Sequence, residues 1–142
     1  RLSLVGSEMC IRDRDTTKDI HVIRDATRGG VGTVLYEIAG QSHVGIHLDS
    51  QAIPVDPAVR GVCGMLGLEP LYLACEGRLV IFAPKAVAGD IVATLRQGKY
   101  SKDAAIIGEV TADQPGRVIM RTEIGAETLL PPPGGELLPR IC

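Results

Sequence analysis

Residues 21–40 read HVIRDATRGGVGTVLYEIAG, and this stretch decides the fold class. Residues 21–24 are typical of a short strand, and residues 27–30 turn the chain into a helix. The apolar residues of that helix recur at i, i+3, i+4 and i+7, the spacing of one buried face. They are Val31, Val34, Leu35 and Ile38. A strand, a glycine turn and an amphipathic helix in succession indicate one unit of an alternating β and α arrangement.

Strands and helices continue to alternate downstream. Asp56 supplies an N-cap and Pro57 a first-turn proline for a second helix, which Gly67 ends. A third helix is predicted from about residue 85 to residue 97. The buried stripe of the second helix is expected to contain Val59, Val62, Cys63 and Leu66, and that of the third Ala88, Ile91, Val92 and Leu95.

The remaining strands set the type of sheet. Apolar and β-branched runs predict them at residues 44–48, 79–82, 104–110, 117–121 and 127–130. A turn at Pro115 and Gly116 predicts that two of them meet in a hairpin. Helices interleaved with strands, followed by paired strands, predict an α+β fold, an α/β sandwich with a mixed sheet. We expect this domain at residues 15–130 and an extended flexible tail at residues 131–142.

The first residues, 1–14, read RLSLVGSEMCIRDR and are interpreted separately. They show neither helical nor strand periodicity and no signal-peptide core, and they resemble translated sequencing-adapter read-through. We expect a non-native segment, so that the chain is a fragment with a foreign start and Cys10 has no functional meaning. The alternative is a native, poorly ordered terminus. Its deletion is expected to leave the free energy of unfolding unchanged within about 0.5 kcal/mol.

Composition excludes several classes of protein. The chain has 142 residues, 45% of them hydrophobic, which suits one domain with a substantial core. A net charge of −2 and few aromatic residues argue against nucleic-acid binding, and no apolar run reaches the ~18 residues of a membrane span. The four cysteines lack metal-ligand spacing, so we expect no metal site, no disulfide framework and a cytoplasmic setting.

The chain ends in LPRIC, which places the thiol of Cys142 on a tether that starts with three prolines at 131–133. Proline runs are stiff and extended, and Gly134 and Gly135 then supply a hinge. Such a tether could move the sulfur by roughly 35–40 Å at ~3.3 Å per residue. We interpret it as a carrier arm, and the alternative is an ordinary disordered terminus.

Two internal segments could carry chemistry. In the turn at 25–30, Thr27, Arg28, Gly29 and Gly30 are candidate phosphate contacts, because glycines admit a close ligand and a helix start favours an anion. The alternative is structural, with Thr27 as an N-cap and the glycines as a tight bend. In YLACEGR at 72–78, Glu76 is a candidate general base, partly desolvated at the mouth of a buried strand. Its alternative is an exposed loop charge, unpaired or paired with Arg78.

Together these segments resemble the HypE family of hydrogenase expression/formation proteins, from about Ile20 to Cys142. The segments are residues 25–30, 70–77, 103–110 and 138–142. The family belongs to the aminoimidazole ribonucleotide synthetase-like superfamily, and the resemblance implies the C-terminal domain of that fold without its ATP-binding half. The family usually has proline where Ala26 stands and asparagine where Cys75 stands.

The resemblance also implies a function. Cys142 would receive a carboxamide from the carbamoyltransferase HypF, and ATP with Mg²⁺ would drive its dehydration to a thiocyanate. The cyanide would pass to iron on a HypC–HypD scaffold for a nickel–iron hydrogenase. ATP and Mg²⁺ would be bound mostly by the missing half, so the fragment alone would be inactive, and the full-length protein would be a homodimer. The alternatives are a non-catalytic carrier or interaction domain, and a sister ATP-dependent kinase or synthetase of the superfamily.

Overall fold

The computed structural model describes the backbone of residues 2–6 and the whole of residues 20–134. This part of the chain contains one sheet, three α-helices and a 3₁₀ helix at Pro70–Tyr72. The strands are β1 (Leu2–Gly6), β2 (Val22–Asp25), β3 (Gly45–Asp49), β4 (Leu79–Ala83), β5 (Ala105–Thr111), β6 (Val118–Arg121) and β7 (Glu127–Leu129). The helices are α1 (Gly30–Ser42), α2 (Pro57–Leu66) and α3 (Lys85–Leu95).

The seven strands lie in the order β2-β4-β1-β5-β3-β6-β7. Among the described pairs, β3 and β6 are parallel and the others are antiparallel, which confirms the predicted mixed sheet. Alternate residues of β4 point to opposite faces. Val80 and Phe82 join the core that includes α1, whereas Ile81 and Ala83 join the core beneath α3. The α+β sandwich expected from the sequence is therefore confirmed.

The predicted buried faces are confirmed for the two helices α1 and α3. The predicted apolar stripes of α1 and α3 are buried throughout, with no member more than 7% exposed. Asp56 caps α2 by accepting a hydrogen bond from the Ala58 N–H at 2.8 Å, and Gly67 ends that helix with a φ of 66°. Local periodicity and capping chemistry determine these features, and both are visible in the sequence.

The predicted hairpin of β5 and β6 is wrong, because β3 lies between them. The connection passes over the start of β3, where the Gly116 N–H donates to the Val44 carbonyl oxygen at 2.9 Å. Gly45 lies directly against the carbonyl oxygen of Asp113, so a side chain there would overlap the crossing segment. The turn was identified correctly, but strand pairing is a property of distant segments.

The predicted burial of the α2 stripe is also wrong for three of its four members. Cys63 is 3% exposed, whereas Val62 is 53% and Leu66 64% exposed, and Val59 is exposed as well. The helix lies beside the 3₁₀ helix rather than flat on the sheet. An apolar stripe identifies a hydrophobic face of a helix, but it does not say what covers that face.

The expectation that residues 1–14 take no part in the fold is wrong for Leu2–Gly6. These residues form β1, which pairs antiparallel with β4 on one side and with β5 on the other. Backbone N–H and C=O groups at strand edges need partners, and β1 supplies them to both neighbours. Residues 7–14, including Cys10, lie outside the described residues, and the non-native origin of the segment stays a prediction.

Because β1 pairs with two strands, deleting residues 1–6 is expected to destabilise the domain. Each ladder hydrogen bond contributes about 1 kcal/mol net, so the loss should exceed roughly 2 kcal/mol. Urea unfolding followed by circular dichroism would measure it. A change within about 0.5 kcal/mol, the scale of structurally neutral changes, would show that β1 contributes nothing to stability.

Candidate functional site

The two motifs predicted from the sequence lie side by side. We name residues 25–30 the glycine turn and residues 75–78 the Glu76 loop. The Ala26 N–H donates to the Arg78 carbonyl oxygen at 2.9 Å, and the Cys75 N–H donates to the Ala26 carbonyl oxygen at 3.2 Å. The N–H and C=O groups of Ala26, which is fully buried, thus hold the Glu76 loop against the glycine turn. This pairing extends the ladder between β2 and β4, which supply the two segments.

Gly30 holds the glycine turn against the 3₁₀ helix. Its φ is +63°, and a Cβ at this position would overlap the carbonyl oxygens of Leu71 and Leu73. Glycine is therefore required here for two independent reasons, the left-handed backbone and the close approach of another backbone. The start of α1 and the segment leading to Glu76 consequently form one packed unit.

Gly30→Ala is expected to destabilise the domain by about 2–4 kcal/mol, because strain and a backbone clash add. Gly40→Ala is the matched control in the same helix, where a Cβ would meet nothing within 4 Å. There alanine should stabilise the helix by about 0.5–1 kcal/mol. Thermal unfolding of both variants would check the opposite signs, and equal effects would contradict this account of Gly30.

The polar residues of the glycine turn face solvent. Thr27 and Arg28 are exposed, and no carboxylate in the described part of the chain lies within ion-pair distance of the Arg28 guanidinium. The N-cap of α1 is Gly29, without a side-chain cap, so the alternative role of Thr27 as N-cap is wrong. No described side chain caps the first amides of α1, and the Arg28 side chain remains available to an anion.

Glu76 is exposed, so the partial desolvation expected for it is not present in this structure. Its suggested ion pair with Arg78 is absent among the described residues, and Arg78 instead donates to the Pro54 carbonyl oxygen at 3.4 Å. The loop backbone is nevertheless held on both sides by Ala26. The backbone of the Glu76 loop is therefore held in place, while the Glu76 carboxylate faces solvent.

The base of the C-terminal tail reaches the same region. The Tyr36 hydroxyl donates to the Leu130 carbonyl oxygen, and the Tyr72 hydroxyl donates to the Pro131 carbonyl oxygen. The backbone of Tyr72 packs against Gly30, and its ring lies against Gly32. Tyr72 therefore connects the start of the tail to Gly30 of the glycine turn, and Ala26 connects that turn to the Glu76 loop.

Burial changes the acidity of both phenols. It raises the pKa of Tyr72 to about 12, with smaller contributions from Tyr36 and Glu69, and it raises the pKa of Tyr36. The pKa of an ordinary tyrosine is 10.0, so above pH 10 the unfolded state loses phenol protons that the folded state retains. The stabilisation is therefore complete below pH 10 and disappears as the pH rises towards 12.

The unfolding temperature of the domain is thus expected to fall between pH 10 and pH 12. In Tyr72→Phe the decrease should be shallower, because one phenol with a raised pKa is absent. Tyr100→Phe is the control, since Tyr100 is 67% exposed and the two tail-base hydrogen bonds come from Tyr36 and Tyr72. Thermal unfolding across this range would measure the slopes, and identical slopes for the two variants would contradict the assignment.

Comparison with known proteins identifies the family. Residues 6–121 match the model of the AIR synthase related protein, C-terminal domain. The chain belongs to this family. Among curated relatives, carbamoyl dehydratase HypE of Bradyrhizobium diazoefficiens is 45% identical over 125 residues, covering 88% of this chain and 36% of that protein. HypE of Cupriavidus necator is 46% identical over 123 residues, covering 87% of this chain and 35% of that protein.

Solved structures agree with the assignment of this chain to the AIR synthase related family. Escherichia coli HypE, a hydrogenase maturation protein, superposes with a TM-score of 0.87 at 36% identity, covering 99% of this chain and 52% of that chain. HypE in complex with ATP gives a TM-score of 0.83 at 36% identity, with coverage of 99% and 52%. A HypE–HypF complex gives a TM-score of 0.84 at 28% identity, with coverage of 93% and 52%. The chain thus resembles the C-terminal part of HypE and spans about half of these structures.

Sequence reasoning about this AIR synthase related domain missed the two tyrosines at the tail base. Their one signal was the spacing of Gly32 and Tyr36 on α1, four residues apart and hence on the same helix face. Cys142, the predicted carrier, lies outside the described residues. Within residues 20–134, no group of three His, Cys, Asp or Glu side chains is placed to hold a metal ion. No helix in the described part of the chain is long and apolar enough to cross a membrane.

Proposed function

We propose that this chain is the C-terminal domain of a HypE-like carbamoyl dehydratase, and that Cys142 carries the group that is dehydrated. The observation that carries the proposal is that Tyr72 joins the tail base to Gly30 of the glycine turn, which Ala26 joins to the Glu76 loop. A tail that starts beside two candidate reactive loops can bring its terminal sulfur back to them. The similarity to proteins named carbamoyl dehydratase HypE supports the reaction class.

The proposed reaction converts a carboxamide on the Cys142 sulfur into a thiocyanate. Oxide is a very poor leaving group, so the amide oxygen attacks the γ-phosphorus of ATP, and ADP departs. The nitrogen then loses its two protons as the carbon–oxygen bond breaks, which forms the C≡N bond and releases phosphate. The cyanide is passed on to become a ligand of the iron of a nickel–iron hydrogenase.

Glu76 is the proposed base in this reaction, and the glycine turn is the proposed phosphate contact. A base near the nitrogen accelerates proton removal, and Arg28 with the amides of Gly29 and Gly30 would stabilise the departing phosphoryl oxygens, next to the hydroxyl of Thr27. Because Glu76 is exposed here, the ATP-binding half has to cover it for the carboxylate to act in a water-poor site.

ATP is the proposed co-substrate, supported by the HypE structure with ATP, and Mg²⁺ accompanies it. The chain spans about 36% of its curated relatives, so we propose that the other half of the protein binds most of the nucleotide and metal. The fragment alone is then inactive. Proposed partners are HypF, supported by the HypE–HypF complex, a HypC–HypD iron scaffold, and a second copy of the full-length protein in the cytoplasm.

The second candidate is a non-catalytic carrier or interaction domain. The exposed apolar face of α2 favours it, since Val62, Met65 and Leu66 are each more than half exposed. Under this candidate the tail is recognised by partners while the chemistry occurs elsewhere. A sister kinase or synthetase of the superfamily would have no use for a terminal thiol.

Mass spectrometry of the C-terminal peptide would test the proposal. The chain, joined to a HypE ATP-binding half, is incubated with HypF, a carbamoyl donor and ATP. A carboxamide adduct on Cys142 that then loses one water supports the dehydratase. An adduct that persists with ATP present supports the carrier candidate, and no adduct contradicts both.

A further inference from the structure

Two tyrosines from different elements hold two consecutive peptide groups at the start of the tail. The hydroxyl of Tyr36, on α1, contacts the carbonyl of Leu130, and the hydroxyl of Tyr72, in the 3₁₀ helix, contacts the carbonyl of Pro131. Residues 131–133 are prolines without N–H groups, so their carbonyls are the only backbone groups that the domain can hold by hydrogen bonds. The tyrosine hydroxyls are suited to this task.

The fold does not need these two bonds to fix the last strand. β7 pairs with β6, the Leu130 N–H donates to the Val118 carbonyl oxygen at 2.9 Å, and the Leu130 side chain is 1% exposed. The chain is therefore already secured at Leu130. The Tyr72 bond extends the hold by one residue, to Pro131, where no strand pairing continues.

The Tyr72 ring packs against a glycine of α1. A Cβ on Gly32 would come within 2.5 Å of the Tyr72 ring, so glycine at this position of α1 lets the ring approach the helix this closely. Tyr36 lies one turn further along the same helix face. Tyr36 therefore belongs to α1, and the Tyr72 ring packs on it. This helix begins at Gly30, the last residue of the glycine turn.

We propose that Tyr36 and Tyr72 are positioning residues that clamp the base of the C-terminal arm at Leu130 and Pro131. This inference rests on the proposed carrier function of Cys142. From Pro132 to the terminus the arm has a reach of roughly 36 Å at ~3.3 Å per residue. Because the arm starts as a stiff proline segment, holding its base also sets the direction in which it leaves the domain.

The activity test uses the protein with its ATP-binding half and a carboxamide already loaded on Cys142. The double variant Tyr36→Phe/Tyr72→Phe should dehydrate on the order of tenfold more slowly, because a loose pivot lowers the effective concentration of the carboxamide in the cleft. The KM for ATP should not change. Gly32→Ala, which displaces the Tyr72 ring but keeps its hydroxyl, should show a loss in the same direction, and Tyr100→Phe should react at the parent rate.

Two outcomes would overturn the clamp. One is a parent rate in the double variant, and the other is a rate that falls only in proportion to the unfolded fraction measured by thermal unfolding. If the loaded parent protein itself forms no thiocyanate, the proposed function fails, and the clamp is then decided by the mobility of the arm alone.

Mobility is measured on the 142-residue chain with a fluorophore on Cys142, in a background with Cys10→Ser and Cys75→Ser. Time-resolved anisotropy should report a larger amplitude of fast motion in the Tyr36→Phe/Tyr72→Phe chain than in its parent. An unchanged amplitude would mean that the two hydroxyls do not restrain the arm, and would overturn the proposal whatever the reaction.

Discussion

Cys142→Ala should abolish loading of the carboxamide while the domain keeps its fold. The proposed acceptor is a thiol at the end of a tether, and alanine removes the sulfur without touching the described core. The other cysteines in the described part are poor substitutes. Cys63 is 3% exposed in α2, and the backbone of Cys75 is hydrogen-bonded to Ala26. Mass spectrometry after incubation with HypF and a carbamoyl donor would measure the loss.

Cys75→Ala is the matched control and should load at the parent level, since its thiol is half-buried in a closed loop. Adding residues after Cys142 is the complementary variant, because it keeps the sulfur but enlarges the end that must enter a closed cleft. We expect loading to continue and dehydration to fall. Modification of Cys63 or Cys75 in the Cys142→Ala chain, or full activity with a long extension, would contradict the carrier arm.

Glu76→Gln should slow dehydration by about 10²–10⁴-fold, the usual contribution of a general base. Glutamine keeps the size and hydrogen-bonding capacity of the side chain but cannot accept the proton. The backbone of the Glu76 loop is held by Ala26, so the substitution should not move the loop. Single-turnover conversion of loaded protein, with the ATP-binding half present, would measure the rate, and ATP binding should be unchanged.

Glu123→Gln provides the control for charge, because Glu123 is an exposed carboxylate that approaches Arg60 at 3.8 Å, far along the chain from the Glu76 loop. An exposed ion pair of this kind contributes little to stability, so this variant should dehydrate at the parent rate. Should Glu76→Gln also react at the parent rate, Glu76 would be only a loop charge, and the base would have to come from another part of the protein.

The sequence by itself determined the elements whose causes are local. The apolar stripes of α1 and α3 are buried as predicted, Asp56 caps its helix, and the run at β4 is buried on both faces. Periodicity, capping and turn chemistry act over a few residues, so they leave a pattern that can be read along the chain. The sequence also showed the terminal cysteine on its proline tether and the two candidate loops.

Only the tertiary structure decided how these parts meet. β1 lies between β4 and β5, β3 separates β5 from β6, and most of the α2 stripe faces solvent. The same holds for the closure of the Glu76 loop by Ala26 and for the two tyrosine contacts at the tail base. These arrangements depend on backbone groups of segments distant in sequence. A backbone N–H or C=O is the same in almost every residue type, so its long-range partner leaves no mark in the sequence.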